Sequence, residues 1–220
     1  MTHEDQDPLP PTAPPARTAF EARRRLLRGS LAAGPVLLTL ASKPVSATTC
    51  TPASSFSSIK VSGPTRVYTC GGRTPGYWKQ DCKFFDWPMP RFIPSSTPAG
   101  CGAQPDYIPP FGAQATKFDD VFGALGGYPG KTLVQVLSLK GNDAGRDALA
   151  RHIVAAILNA AKAYTPATVL SEIMVKNIWA SFVSLGYFEP IGGIKWYADY
   201  AVPPNPNGGL IAWLKTTMPL

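Results

Sequence analysis

The chain has 220 residues, 45% hydrophobic and 16% charged, which suits one globular domain with appendages. Five Trp, eight Tyr and ten Phe exclude disorder throughout, and no apolar run reaches the roughly 18–20 residues that span a bilayer as a helix. The 24 Pro and 20 Gly argue for long irregular segments, and a net charge of +7 raises the question of where the cations lie.

Residues 1–19 are polar and proline-rich. Ala22-Arg23-Arg24-Arg25-Leu26-Leu27-Arg28 follows, then an apolar stretch from Leu31 to Leu40, then Lys43, Pro44 and Val45-Ser46-Ala47. A basic region, a short apolar region and small residues before a cut predict a secretory signal cleaved after Ala47. The paired arginines ahead of two leucines, and the Gly- and Pro-containing apolar region, resemble a twin-arginine export signal. About 12 residues of helix rise only some 18 Å against a core of roughly 30 Å, so no retained anchor or later transmembrane segment is expected. The predicted destination is periplasmic or extracellular.

Cleavage there leaves 48–220 as one mature domain: a Cys-, Pro- and aromatic-rich coil over 48–130 and a helical part over 131–220. This part holds 15 Lys/Arg and 10 Asp/Glu, dispersed without a basic run, so nucleic acid is not an expected partner. Cys50, Cys70, Cys82 and Cys101 all fall in its first third. An even count in an exported chain predicts two disulfides, with three connectivities open. Spacings of 20, 12 and 19 lack the close pairs of a zinc site, and neither metal nor cofactor is expected.

In chain order, Ile59-Lys60-Val61 and Arg66-Val67-Tyr68 flank a Ser-Gly-Pro-Thr turn and predict a short hairpin. Seven prolines between Pro88 and Pro110 exclude a helix there. A short helix is expected around Ala115–Phe122, and a buried one of about ten residues around Leu133–Leu139, with a strand as the alternative for the latter. Asn142 or Asp143 is placed to cap a helix running to about Ala163, with Asp147 and Arg151 paired at i,i+4. That helix is apolar most of the way round, as the centre of a bundle would be. Thr165-Pro166 predicts the start of the next, at 166–185, with Leu170, Ile173, Met174, Ile178 and Phe182 as its stripe, Glu172 and Lys176 paired outside, and Gly186 as its stop. After a Gly- and Pro-rich passage, Gly209–Thr217 forms a last short helix. The predicted fold is mainly α: a small helical bundle with a disulfide-stapled, coil-rich N-terminal half containing a short β-hairpin.

Common catalytic signatures are missing: G-x-S-x-G, H-E-x-x-H, a P-loop and G-x-G-x-x-G. His152, the single mature histidine, is a candidate base or ligand, or a core histidine bonded to a neighbouring carbonyl. The most distinctive segment is Thr74-Pro75-Gly76-Tyr77-Trp78-Lys79, with Asp81, Asp86 and Trp87 close behind. Tyr77, Trp78, Lys79 and Trp87 suit a glycan- or protein-binding surface, because rigid rings give large contact area at low entropic cost. The same rings would equally serve as the inner wall of the stapled coil.

Gly76-Tyr77-Trp78-Lys79 resembles the G-Y-W-K-N-H motif of a family of secreted bacterial proteins of uncharacterised activity. Cys70 before it, Trp87-Pro88 after it, then Leu133 to Leu139, Gly141-Asn142 and Leu149 to Asn159 are similar to that family's run in the same order. Gln80-Asp81 stands where the family has Asn-His. The resemblance covers roughly 70–163 and implies a secreted module, without naming a reaction.

The functional expectation is an exported, non-catalytic protein, envelope-associated or extracellular, acting in binding or assembly. One alternative is a secreted hydrolase of cell-wall or polysaccharide material, with Asp81 or Asp86 as acid/base beside Tyr77 and Trp78, or His152 as base. A second is a cofactor-carrying periplasmic protein.

Overall fold

A computed structural model describes residues 48–57, 67–94, 114–124, 127–141, 144–202 and 208–219. The chain divides into two units, Met1–Val45 and Ser46–Leu220, and every described residue belongs to the second. The predicted signal segment therefore lies outside the described residues.

Strand β1 (Thr48–Cys50) leads into a short helix α1 (Ala53–Ser57). β1 pairs antiparallel with β2 (Tyr68–Cys70), Cys50 opposite Tyr68 and Thr48 opposite Cys70. Tyr68, in one arm of the expected hairpin, pairs with Cys50; the other arm, 59–61, lies outside the described residues. A Cys50–Cys70 disulfide locks the pair, which selects among the open connectivities. Cys82 is disulfide-bonded too, while Cys101 lies outside the described residues.

Next come α2 (Pro75–Trp78), a 3-10 helix (Asp81–Asp86), α3 (Phe118–Phe122) and α4 (Leu133–Leu137). Thr132 caps α4 by accepting from the Gln135 amide, and Gln135 reaches back to the Thr132 amide. The helix stops after five residues, shorter than the pattern predicts, because Ser138 to Lys140 turn away to meet the next element.

The central element is α5 (Gly145–Ala161). Every residue from Ala148 to Asn159 is buried, as an all-round apolar helix requires. α4, α6 (Glu172–Leu185) and α7 (Leu210–Thr216) pack around it, and α2 lies against it near its C-terminal end. Its N-cap is Ala144; Asn142 and Asp143 lie outside the described residues. The Gly145 amide instead donates to the Asp199 carboxylate at 2.9 and 3.0 Å, a cap brought from far along the chain. Asp147 accepts from Tyr128 at 2.6 Å, and Arg151 donates to the Leu139 carbonyl at 3.0 Å.

α6 corrects the sequence reading. Thr165-Pro166 makes a turn, with Val169 and Leu170 amides on the Pro166 carbonyl, and Ser171 caps the helix through the Met174 amide at 3.2 Å. The buried face is Val175, Ile178 and Trp179, while Ile173 is 73% exposed. Trp179 decides the rotation: it sits among Phe118, Phe122, Tyr128 and Phe182, and burying the largest ring turns Ile173 outward. Glu172 pairs with Arg91 at 2.6 Å rather than with Lys176. Gly186 ends the helix at φ +80°, as expected.

The passage read as irregular holds a three-stranded antiparallel sheet, β3 (Phe188–Ile191), β4 (Ile194–Trp196) and β5 (Ala201–Val202), in that order. Pro190 is accommodated because β3 is an edge strand. In α7, Leu210, Ile211, Trp213 and Leu214 are buried, and the Trp213 indole donates to the Thr51 carbonyl at 3.0 Å. About half of the described chain is thus helical, with two small sheets and a disulfide. Among the described residues no helix is long and apolar enough to cross a membrane.

Candidate functional site

The motif segment is built from its cap. Thr74 accepts the Tyr77 amide at 3.3 Å and Pro75 takes the first helical position, where its missing N–H costs nothing. One turn of helix sends Trp78 inward and Lys79 outward. Trp78 is 0% exposed. Its indole N–H donates to Asn159 Oδ1 at 3.1 Å, and the same oxygen accepts the Arg73 amide at 2.8 Å. Asn159 Nδ2 donates to the Arg73 carbonyl at 2.8 Å, so one carboxamide from α5 ties down the motif at three points. Gly72 permits this approach, since a Cβ there would collide with the Thr217 carbonyl oxygen.

Trp87 is also buried, and its indole donates to the Trp78 carbonyl at 3.2 Å. Trp78 and Trp87 therefore have no face to offer a ligand; their predicted binding role is corrected to a structural one. Tyr77 is half-buried and Lys79 exposed.

Asp86 sits under a second clamp. It accepts from Tyr164 Oη at 2.8 and 3.0 Å and from Tyr77 Oη at 3.2 Å, with Lys162 Nζ at 3.3 Å. Both phenols donate to the one carboxyl group. Burial first, and Asp86 after it, raise the Tyr77 phenol and push Tyr164 up to about 12. The end of α5 makes this possible: the Tyr164 amide returns to the Asn159 carbonyl and Ala163 to Ala160, with Ala163 at φ +56°, which swings Tyr164 onto Trp78 and Asp86. A carboxylate held by three donors is poorly placed as a general acid or base. Asp81 begins the 3-10 helix, partly exposed.

Outward of the motif lies a cleft of about 750 Å³. Thr74, Pro75, Gly76 and Lys79 form one wall and the chain from Leu137 to Gly141 another. Arg151 and His152 of α5 and Lys215 of α7 complete it. Arg151 and His152 are 9% and 6% exposed, whereas Lys79, Lys140 and Lys215 stand at the surface. The Arg151 bond to Leu139 joins floor to wall. His152 Nδ1 lies 2.8 Å from the Ala148 carbonyl, which only accepts, so this nitrogen carries the hydrogen. Among the described residues no Asp or Glu lines the cleft. Cations at 79, 140, 151 and 215 make no run, so no local sequence signal marks the cleft. A second hollow of about 710 Å³, between α3 and α6, is lined by Phe122, Trp179, Val183 and small residues, with no charged group.

Of the predicted site residues, Lys79 and His152 meet in the cleft, Tyr77 and Asp86 meet in the clamp, and Trp78 and Trp87 are core. Among the described residues no group of three or more His, Cys, Asp or Glu side chains is assembled as a metal site. Compared with known proteins, the chain matches no family model, no curated protein and no solved structure.

Proposed function

We propose that this chain is an exported, non-catalytic binding protein of the cell envelope or its surroundings, and that the cleft beside the G-Y-W-K turn is its contact site. The observation that carries this reading is the cleft itself. The most distinctive segment of the sequence forms its wall, with Trp78 and Asn159 fixing that wall from behind. The leader-like N-terminus, the disulfides and the resemblance to secreted G-Y-W-K proteins support that compartment. A hydrolase would need a carboxylate pair open to substrate. Among the described residues the lining offers none, and Asp86 is engaged by Tyr77, Tyr164 and Lys162.

Cell fractionation with intact-mass measurement tests the compartment: the product is expected outside the cytosol, shortened by the first 47 residues and without free thiols. Retention on isolated envelope material tests the cleft. Gly76→Trp is the blocking variant, since an added Cβ meets only Thr74 Oγ1, at 3.6 Å. It should abolish retention while preserving the fold; full retention would remove the cleft from consideration.

A further inference from the structure

Resting on that reading of the cleft, we infer that its ligand is an extended oxyanion carrying two or more phosphate or carboxylate groups. Among the described residues the lining contributes the cations Lys79, Lys140, Arg151 and Lys215, with His152 beside them, and no carboxylate, in a protein whose mature part carries 10 acidic residues against 15 basic ones. So one-sided a lining concentrates potential in a partly enclosed space.

The nitrogen groups are arranged on two levels. Arg151 and His152 lie at the bottom, more than nine-tenths buried, and each is oriented by a backbone carbonyl: Leu139 for Arg151, Ala148 for His152. A fixed guanidinium is suited to the paired oxygens of a phosphate or carboxylate. Lys79, Lys140 and Lys215 are exposed and come from three different elements. They form a rim that meets charges further along the same ligand. Asp199, in the hollow on the other side of Lys215, is already bonded to the Gly145 amide. The volume of about 750 Å³ falls in the range of organic ligands rather than of one inorganic ion. Pro75, Leu137 and Leu139 supply apolar wall for the ligand's carbon framework.

Calorimetric titration of the exported, processed protein tests this with four probes: tripolyphosphate, hexagalacturonate, maltohexaose as a neutral oligosaccharide, and inorganic phosphate. Tripolyphosphate or hexagalacturonate should bind at low salt and weaken as salt rises. Whichever binds more tightly identifies phosphate or carboxylate as the natural group. Inorganic phosphate should bind at least about tenfold more weakly, since it reaches only one level of the site. Lys79→Gln, Lys140→Gln and Lys215→Gln together should weaken anion binding about tenfold, three exposed pairs each contributing a fraction of a decade. Because all three lysines are exposed, the melting temperature should stay within a few degrees. Anion affinity unchanged in the triple variant, maltohexaose binding as tightly as the anions, or no anion bound at about a thousandfold excess would each overturn the inference. If envelope retention still fails in Gly76→Trp, the cleft survives and only its charge preference is lost. If retention persists in Gly76→Trp, the contact site itself is elsewhere.

Discussion

Replacing Asn159 by Ala is the sharpest test of how the motif is held. The change removes three hydrogen bonds at 2.8, 2.8 and 3.1 Å. The Trp78 indole N–H is fully buried, and stranding it costs about 1–3 kcal/mol. The Arg73 amide and carbonyl are partly buried and regain some water, so about 1 kcal/mol each is appropriate. The sum is about 3–5 kcal/mol, a large share of the roughly 5–15 kcal/mol that a domain has in total. With a urea slope near 2 kcal/mol/M, the unfolding midpoint should fall by about 1.5–2.5 M. Tryptophan fluorescence during urea titration of the oxidised protein reads this directly. Trp78→Phe removes one donor but leaves both Asn159–Arg73 bonds, so it should cost less, about 1–2 kcal/mol. The double variant should then be less destabilised than the sum of the singles by about 1–2 kcal/mol. A loss under about 1 kcal/mol for Asn159→Ala, or strict additivity, would refute the three-point attachment.

Three other outcomes follow from the same region. Tyr164 has its phenol pushed up to about 12 from 10.0 by burial and by Asp86, so the unfolded chain loses that proton first as pH rises. Its contribution is complete below pH about 10 and disappears toward pH about 12; urea midpoints should fall across that window, and less steeply in Tyr164→Phe, an unchanged slope being the refuting result. Ala163 holds φ +56° where glycine is favoured, so Ala163→Gly should raise stability by up to about 1 kcal/mol in the same urea assay, and a loss would contradict the turn. Cys50→Ser with Cys70→Ser opens a loop of 20 residues and should cost about 3 kcal/mol by calorimetry; a neutral result would mean the β1–β2 pair persists uncrosslinked.

The parts of the fold legible in sequence are those whose signals are local. Gly186 and Gly209 punctuate α6 and α7, and the apolar circumference of α5 has one reading only, burial on all sides. The start of α6 differs from the expected one because Thr165-Pro166 carries a strong cap signal, while Ser171, five residues after the proline, is the residue that caps. Its rotation is not legible from Leu and Ile spacing, because it is set by one Trp whose aromatic partners are 57 and 61 residues upstream at Phe122 and Phe118. Gly192-Gly193 between Pro190-Ile191 and Ile194-Lys195 was an available hairpin signal for β3 and β4, obscured by the proline that an edge strand accepts. The disposition of Trp78 was not legible, since its partner Asn159 lies 81 residues away.

The two faces of the G-Y-W-K turn explain one another. A short helix of four residues has no stability of its own, so a cation displayed from it would wander. Trp78 and Asn159 fix the turn to the central helix from inside, and Tyr77, Asp86 and Tyr164 fix the following 3-10 segment beside it. Lys79, one residue beyond the anchored indole, thereby gains a defined place opposite Arg151, which Leu139 holds from the other wall. Rigid backing of this kind lowers the entropic cost of binding, because less of the site must be ordered when a ligand arrives. Asn159, which does not line the cleft, should therefore influence affinity through the wall it holds. A conservative loosening such as Trp78→Phe should weaken retention on the envelope without changing any group that lines the cleft.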